Sequence, residues 1–402
     1  MIKKIDITDL KPGMFIHDIN CPWLNHPFLR DSFLVEDDED IEKIAAYGIR
    51  QVYIDTERGL DMMDAPTVHE VQRQLNSRLQ HLGHTLKRLP PPLIAVEKER
   101  VQARQICREA SRIVNNVLQD CRLGNQVQLE QVEPVVSNIT DSIFRNPDAI
   151  VSLLRIKQAD KYTFQHSVAV GTLLISFCRA LDIERNTIER VGLGGLMHDI
   201  GKMQVPNHIL NKPGKLTQSE FEIMKQHVRY GCLTLEKTAD ISPIALSVAA
   251  QHHECYDGGG YPLGLKGDEI SLYGQMAAVV DVYDALTSTR IYHVGIEPTE
   301  VLRKLLEWSD HHFNLTLVHQ FIRSVGIYPV GTLVRLESGY LAVVVEQHHE
   351  DLLHPRVRVV FNSHTRSYSM PRDVDLSKPG CHDRIASFEV PARWGIDPGR
   401  YI

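Results

Sequence analysis

The stretch that decides the fold is 191–202, which reads VGLGGLMHDIGK. Its apolar residues extend the three- and four-residue spacing that begins at Ile188, so the pattern predicts a buried helix. That helix runs directly into His198 and Asp199, which places an imidazole and a carboxylate at one point. An aspartate has two oxygens and can bridge two cations. A single His-Asp pair is more often an ordinary helix end, so a metal site needs further donors elsewhere in the chain.

Helical periodicity continues on both sides of this stretch. Apolar residues recur every three or four positions within 168–177, 188–196, 244–250 and 276–286. The pattern predicts an all-α bundle of about seven helices over residues 140–328. The expected fold class is therefore a multidomain protein with a helical bundle at its centre.

The two ends of the chain follow other patterns. Residues 1–64 predict a small α+β domain, because two short β-rich runs enclose a helical pattern that ends at Gly48. Residues 329–402 predict a β-rich extension, since apolar and polar residues alternate around a turn at Ser338-Gly339. The predicted strands are Phe33–Val35 and Val52–Ile54 in the first segment, and Gly331–Glu337, Tyr340–Glu346 and Arg356–Phe361 in the second.

Residues 65–139 predict a helical linker between the first domain and the bundle. Pro90–Pro92 must interrupt it, because proline has no backbone N–H to donate. Beyond the prolines, apolar or small residues from Ile106 to Cys121 lie on one face of a helix. That face packs either on its own domain or on a second copy of the chain, so the helix over 96–122 is a candidate dimerisation surface.

Composition limits the partners and the location. Lys and Arg number 44 against 51 Asp and Glu, a formal net charge of −7, which argues against binding polymeric nucleic acid through a basic surface. The 7 cysteines are scattered and form no CxxC pair, which is typical of reduced thiols in a cytoplasmic protein. No stretch reaches the roughly 18 apolar residues of a membrane helix. Residues 1–130 carry no phosphate loop or cofactor motif, which favours a regulatory role or a protein partner.

Further metal donors lie in recognisable frames. His166 and His227 stand on predicted helices, and His252-His253 comes directly before the glycine-rich run ECYDGGGYP. Asp281 lies in an apolar helix, where a carboxylate is costly unless it is paired or coordinated. Asp284, one turn later, is interpreted as a surface or supporting acid.

These residues and motifs follow one another in a fixed order. The anchors are His166, HDIGK at 198–202, KPGKLT at 212–217, His227, HHE at 252–254, DGGGYP at 257–262 and Asp281. The set resembles the HD-GYP family of HD-domain phosphohydrolases over about residues 140–330. The resemblance implies a helical HD-domain bundle and a bacterial cyclic dinucleotide phosphodiesterase. Residues 1–130 are similar to an uncharacterised domain that often precedes HD-GYP domains.

Carried over residue by residue, the resemblance implies two divalent metal ions, iron or manganese. The first ion is surrounded by His166, His198, Asp199 and Asp281, and the second by Asp199, His227, His252 and His253. In this scheme Asp199 bridges the two ions. Some family members hold a third ion through a glutamate one turn before the first histidine. Tyr162 stands at that position here, which favours two ions.

The resemblance also implies a reaction, the hydrolysis of cyclic di-GMP to linear 5′-pGpG with less efficient cleavage to GMP. Two cations lower the pKa of the water between them, and the resulting hydroxide attacks phosphorus in line. Asp199 and Lys202 are the predicted catalytic residues, with Lys202 adding positive charge near the phosphate.

The predicted substrate contacts come from the same family pattern. Gly260, Tyr261 and Pro262 belong to the loop that lines the pocket, where glycine lets a ligand approach the main chain. Arg290 offers a planar fork to a phosphate or a guanine. His293 stands where relatives commonly have a second basic residue, so one phosphate contact is expected to be weaker.

Two alternatives remain open at this point. The first is a signalling module that binds cyclic di-GMP and turns it over negligibly. The second is an HD phosphohydrolase that acts on another cyclic dinucleotide, such as a hybrid containing adenine, or on a nucleotide such as a dNTP or (p)ppGpp. The complete donor set and the GGGYP run favour a cyclic di-GMP phosphodiesterase over both.

Overall fold

A four-stranded antiparallel sheet forms the N-terminal part of the computed structural model, which describes residues 1–21, 32–86, 91–154, 162–288, 295–309, 311–348 and 350–402. The strand order is β1-β4-β2-β3, with helix α1 between β3 and β4. The elements are β1 (Ile2–Asp6), β2 (Phe15–Asp18), β3 (Phe33–Leu34), α1 (Asp38–Ala46) and β4 (Gln51–Asp55). The predicted α+β fold of this region is therefore confirmed. β1 and β2 were not predicted.

Helix α1 begins and ends as its sequence indicates. The Asp37 carboxylate accepts a hydrogen bond from the Asp40 backbone N–H, and three acids fill the first turn near the positive end of the helix dipole. Gly48 follows the helix with a φ of +73°, a conformation that favours glycine. Ile44 then packs with Ile16, Val52 and Ile54 in the core of this domain.

The central part of the chain is predominantly helical in the described residues, as predicted. Its first three helices are α2 (Val68–Thr85), α3 (Val96–Arg122) and α4 (Leu129–Arg145). The next are α5 (Pro147–Leu154), α6 (Tyr162–Ala180), α7 (Arg185–Met197), α8 (Asn207–Leu210) and α9 (Gln218–Glu236). The last are α10 (Pro243–Gln251), α11 (Leu272–Thr287), α12 (Pro298–Trp308) and α13 (Leu315–Val325).

Helices α2, α3 and α4 share the hydrophobic core of the bundle. The predicted apolar face of α3 contributes Ile106, Ala110, Val114 and Val117 to that core. This face of α3 therefore packs on its own chain, which was one of the two alternatives; the other was packing on a second copy. The linker predicted over 65–139 is thus packed as part of the helical domain.

A five-stranded antiparallel sheet follows the bundle, in the order β8-β7-β6-β5-β9. Its elements are β5 (Leu333–Leu336), β6 (Tyr340–Glu346), β7 (Arg356–Asn362), β8 (Ser367–Asp375), β9 (Ile385–Phe388) and the short helix α14 (Pro391–Trp394). β5 and β6 form the predicted hairpin, with Gly339 at a φ of +82°. β8 and β9 were not predicted. Among the described residues, every helix is too short or too polar to cross a lipid bilayer.

Close packing of the helices α6, α7, α10 and α11 positions the candidate site, and α9 packs on the 3₁₀ turn at Ile200–Gln204. Gly201 makes that last approach feasible. A Cβ atom at this position would lie 1.9 Å from the carbonyl oxygen of His227, far inside van der Waals contact. The glycine of the HDIGK motif therefore lets the chain after Asp199 lie against the backbone of α9.

Candidate metal centre

Seven side chains that the sequence singled out converge at one buried place. His166 projects from α6 and His227 from α9, while His198 and His252 each stand immediately after the last residue of a helix, α7 and α10. Asp281 comes from the middle of α11. Asp199 and His253 complete the set, and every one of the seven is at most 9% exposed.

The Asp199 carboxylate lies between two groups of imidazoles. Its Oδ2 is 3.4 Å from Nε2 of His198 and 3.7 Å from Nε2 of His166. Its Oδ1 is 3.5 Å from Nε2 of His227 and 3.9 Å from Nε2 of His252. One oxygen therefore faces each group, which is the arrangement that a bridging carboxylate requires.

Asp281 closes the other side of the cluster. Its Oδ1 is 3.0 Å from Nε2 of His166 and 3.8 Å from Nε2 of His198, and its Oδ2 is 3.9 Å from Nδ1 of His253. Three overlapping triads have donor atoms within 4.8 Å of one another. They are His166-His198-Asp199, His227-His252-His253 and His198-His252-Asp281.

Three of the histidines are oriented in the same way. Nδ1 of His198, His227 and His252 lies 2.7–2.8 Å from a backbone carbonyl oxygen three residues earlier, at Gly195, Met224 and Ala249. A carbonyl oxygen only accepts, so Nδ1 carries the proton in each ring. In the neutral imidazole Nε2 then holds a lone pair, and it is Nε2 that points into the cluster.

Two of these nitrogens face each other without a proton between them. Nε2 of His227 and Nε2 of His252 are 3.4 Å apart. Burial, reinforced by Lys202, lowers the pKa of His227 to about 4, and burial, reinforced by His198, lowers the pKa of His252 to about 3. Both rings are therefore neutral at pH 7, and two opposed lone pairs at this distance repel unless a cation lies between them.

The carboxylates stay ionised in spite of their burial. Burial opposes the charge on Asp199, but Lys202 and His198 outweigh it and hold the pKa well below the usual range. At Asp281, burial is likewise outweighed, chiefly by His166, and the pKa is lowered. Lys202 reaches Asp199 directly, with Nζ 2.6 Å from Oδ2. The structure thus places Lys202 on the carboxylate that lies between the imidazoles.

The cluster also leaves buried polar atoms without hydrogen bonds. Nε2 of His198 and Oδ1 of Asp199 have no hydrogen-bond partner in the described part of the chain. Such atoms are costly inside a protein unless they are coordinated. Imidazole nitrogens and carboxylate oxygens suit divalent first-row metals such as iron and manganese. The residues present therefore fit metal ions.

The glycine-rich loop lies beside the cluster. Both oxygens of the Glu254 carboxylate accept backbone N–H bonds, from Leu263 at 2.8 Å and from Leu265 at 3.0 Å, which closes the loop. The Tyr261 ring stacks on His253 with 4.7 Å between centroids. A Cβ atom at Gly260 would lie 2.2 Å from the Cys255 nitrogen, so this close turn requires glycine.

Of the predicted substrate contacts, some lie in the described part of the chain and others do not. The Tyr261 ring lies against His253, Gly260 lies against the backbone of Cys255, and Pro262 is exposed. Arg290 and His293 lie outside the described residues.

Two supporting features were missed or left undecided by sequence reasoning. The Asp284 carboxylate accepts a hydrogen bond from Nδ1 of His166 at 2.7 Å and is buried, so its supporting role is observed and a surface position is not. Its position one turn after Asp281 is the signal that indicated this. Lys225 of α9 lies 5.7 Å from the Tyr261 ring centroid, which no motif indicated.

The N-terminal domain reaches the same loop. Gly48 approaches Gly259 so closely that a Cβ atom at Gly48 would lie 3.5 Å from the Gly259 Cα. Nε of Arg50 is 3.6 Å from the Asp257 carboxylate. The sequence of the first 60 residues contains no signal for either contact.

Comparisons with known proteins agree with this architecture. Residues 148–317 match the model of the HD domain, and residues 2–132 match that of a domain of unknown function, DUF3391. A cyclic di-GMP phosphodiesterase of Pseudomonas aeruginosa is 40% identical over 98% of this chain and 94% of its own length.

Other relatives match over a shorter part of the chain. A probable cyclic di-GMP phosphodiesterase of Vibrio cholerae is 42% identical over 31% of this chain and 30% of its own length. A 3′3′-cGAMP-specific phosphodiesterase of the same organism is 40% identical over 30% of this chain and 24% of its own length. With a relative at 40% identity along almost the whole chain and the buried His and Asp cluster in place, the protein belongs to the HD-GYP family of HD-domain phosphohydrolases.

Proposed function

We propose that this protein is a metal-dependent phosphodiesterase that hydrolyses cyclic di-GMP to linear 5′-pGpG. The observation that carries the proposal is the pair of opposed, unprotonated Nε2 atoms of His227 and His252, with Asp199 beside them. Two opposed lone pairs need a cation between them. Because the Asp199 carboxylate beside them also faces a second group of imidazoles, a dinuclear centre is favoured. The relative that matches nearly the full length is a cyclic di-GMP phosphodiesterase, which supports the substrate.

Each ion would have its own donors. His166, His198, Asp199 and Asp281 would hold the first, while Asp199, His227, His252 and His253 would hold the second. Iron and manganese are the metals proposed, because both accept nitrogen and oxygen donors. When bound, the two ions supply an activated water and neutralise the charge that develops on the phosphate oxygens.

The protein's own residues prepare the site for this chemistry. The carbonyl oxygens of Gly195, Met224 and Ala249 fix the imidazole rings so that Nε2 faces inward before any ion arrives. Lys202 keeps Asp199 ionised and adds a positive charge next to the place where the phosphodiester would lie. Asp199 and Lys202 are the two residues that we propose as catalytic.

The substrate would lie against the glycine-rich loop. Gly260 keeps the main chain open to close approach, and the half-buried Tyr261 ring, already stacked on His253, presents an aromatic wall. Pro262, Arg290 and His293 complete the proposed contacts. His293 supplies less positive charge than lysine or arginine near pH 7, so we expect the second phosphate to be bound more weakly than in relatives that have a basic residue there.

The test is hydrolysis by the full chain, purified anaerobically and supplied with Mn²⁺ or Fe²⁺. We expect chromatography to show cyclic di-GMP converted to 5′-pGpG, with GMP appearing later and more slowly. A sample treated with a chelator is the matched control and should leave the substrate intact. If cyclic di-GMP survives for hours while a fresh positive control cuts it under the same conditions, the proposal is wrong.

The same assay separates the alternatives. Calorimetric binding of cyclic di-GMP without turnover would indicate a binding module. Faster cleavage of 3′3′-cGAMP, of a dNTP or of ppGpp in a parallel panel would indicate another substrate. The partial match to a 3′3′-cGAMP-specific phosphodiesterase is the observation that favours the hybrid dinucleotide among these.

Partners and location stay predictions. A homodimer would have to use a surface other than the α3 face, because that face is buried in the protein's own helical core. The N-terminal domain is proposed as the site of regulation or of a protein partner, since it contacts the glycine-rich loop through Gly48 and Arg50. A cytoplasmic location is the expectation from the scattered cysteines alone.

A further inference from the structure

A second group of metal-type donors lies where the glycine-rich loop begins. Cys255, Asp257 and His312 place one donor atom each within 4.8 Å of one another. Cys255 and His312 are each 6% exposed, and the side chain of Asp257 is 8% exposed. None of the three belongs to the His and Asp cluster described above, and neither the reaction nor the substrate loop accounts for their meeting.

Backbone hydrogen bonds hold these three residues in place. The Tyr256 N–H donates to the His312 carbonyl oxygen at 2.9 Å, which ties the loop to the connection between α12 and α13. The Gly258 N–H donates to the Cys255 carbonyl oxygen at 2.8 Å, which forms the turn that brings Cys255 and Asp257 together. The two segments are therefore joined independently of any ion.

Two buried side-chain atoms in this group have no hydrogen bond. Oδ1 of Asp257 accepts the Gly259 N–H at 3.0 Å, but Oδ2 has no hydrogen-bond partner among the described residues. Nδ1 of His312 is in the same situation. The Nε atom of Arg50 lies 3.6 Å from this Oδ2, which is an ion pair beyond hydrogen-bond distance. Two buried polar atoms without a hydrogen bond on neighbouring side chains favour a ligand between them, because leaving such atoms unpaired is costly.

A fourth donor comes from the N-terminal domain. Sγ of Cys21 is 3.8 Å from Nε2 of His312. The segment before Cys21 is anchored on α12, where the Asn20 amide bonds to Glu307 at 3.1 Å and the Trp308 indole bonds to Asn20 at 3.1 Å. Cys21 is thus held at the edge of the group by contacts that do not involve its own thiol.

We propose that Cys255, Asp257 and His312, with Cys21 as the fourth donor, form a zinc site between the N-terminal and helical domains. Thiolate, imidazole and carboxylate together are donors that Zn²⁺ accepts in tetrahedral sites. Bond lengths of about 2.0–2.3 Å put tetrahedral donors about 3.5 Å apart, close to the 3.8 Å between Sγ of Cys21 and Nε2 of His312 and inside the 4.8 Å limit of the group. Arg50, half-exposed and 3.6 Å from Asp257, would turn outward into solvent.

The site has a consequence for the glycine-rich loop. A zinc ion there would join the residue two positions after His253 to the N-terminal domain and to the α12–α13 connection. The N-terminal domain would then be fastened beside the loop that Gly48 already touches. The ion's role would be structural, since it contacts neither the His and Asp cluster nor the proposed substrate wall.

The test uses cobalt as a spectroscopic substitute for zinc in the full chain. Protein stripped of metal and reloaded with Co²⁺ should show a thiolate-to-cobalt charge-transfer band in the near ultraviolet. The His and Asp cluster contains no sulfur donor, so cobalt bound there cannot produce that band. Added Zn²⁺ should abolish it, and protein purified with zinc should hold one zinc per chain that dialysis does not remove.

Variants assign the band to its donors. Cys255→Ser should lose the band and the zinc, and Cys21→Ser should weaken or shift the band. Cys232→Ser, which alters a half-buried cysteine on α9, should leave both unchanged. Wild-type protein without a charge-transfer band, or a band that survives Cys255→Ser, would overturn the proposal. Hydrolysis of cyclic di-GMP is measured separately, so failure of the zinc site and failure of the proposed function are distinguishable.

Discussion

The His and Asp cluster and the Cys255 group differ in how far their donors are held in place. In the His and Asp cluster, His198, His227 and His252 each bind a backbone carbonyl through Nδ1, and His166 binds Asp284. At the Cys255 group backbone hydrogen bonds hold the two segments, but Nδ1 of His312 has no hydrogen-bond partner among the described residues. A site built for catalysis shows donors already oriented, whereas a site that an ion assembles shows donors merely adjacent.

The strongest test of this contrast removes one donor from the oriented cluster. His198 belongs to two of its three triads, so His198→Ala should lower turnover of cyclic di-GMP by more than about 10³-fold. The matched control is His208→Ala, because His208 is exposed on α8 in the same domain and should keep wild-type turnover. Steady-state rates with metal in excess are the measurement, and equal rates for the two variants would contradict the assignment.

The oriented cluster should also give the metal-free protein a distinctive pH dependence. The pKa of His227 is lowered from 6.5 to about 4 and that of His252 to about 3, so the unfolded chain binds protons before the folded one does. The stability that these two rings contribute is therefore fully present above pH 6.5 and is lost as the pH is lowered from 6.5 through 4 to 3. The loss is roughly 3 kcal/mol for His227 alone. The raised pKa of His198 acts in the opposite sense.

Urea unfolding of metal-free protein across that pH range measures this effect. Replacing His227 by Gln should make the dependence shallower between pH 6.5 and 4, because the variant lacks one of the titrating groups while His252 still contributes. An unfolding free energy that does not change between pH 7 and 4 would show that the two rings are not held neutral by burial.

A substitution at Gly201 tests the close packing of the HDIGK turn on α9 without removing a metal donor. Gly201→Ala places a methyl group against the His227 carbonyl, which should cost about 1–3 kcal/mol of stability and displace His227. The control is Gly380→Ala, where a Cβ atom meets nothing within 4 Å and a change of less than about 0.5 kcal/mol is expected. Thermal unfolding of both variants is the measurement, and equal melting temperatures would contradict the close packing.

The smallest expected effect concerns the orientation of the His166 ring. Asp284→Asn keeps the shape of the side chain but weakens its hold on Nδ1 of His166, so metal affinity should fall about 10–100-fold. Metal titration of the variant measures this, and restored turnover at high Mn²⁺ would separate weaker binding from lost chemistry. An unchanged affinity would mean that the Asp284 hydrogen bond does not position His166.

Local sequence signals predicted the parts of the structure that depend on local physics. The apolar spacing before His198 indicated the α7 helix, and the alternation around Gly339 indicated the β5–β6 hairpin. β8 was missed because its side chains are largely exposed on both faces, so no apolar alternation marks it. For the site, the ordered anchors of the family brought the seven donors to attention.

Other features depend on contacts between distant segments and have no local signal. The hydrogen bond from His166 to Asp284 requires α6 to pack against α11. The approach of Gly48 to Gly259 requires two domains to dock. Cys255 and His312 meet only because the α12–α13 connection folds back on the loop.

The central claim is that Asp199, lying between two imidazole groups, holds two metal ions at once and so makes hydrolysis of cyclic di-GMP feasible. The most direct test measures bound iron or manganese and turnover together in wild-type protein, in Asp199→Ala and in the control Asp268→Ala, whose side chain is exposed. We predict two ions per chain and full turnover for wild type and control, with both lost in Asp199→Ala. Undiminished hydrolysis by Asp199→Ala would contradict the account.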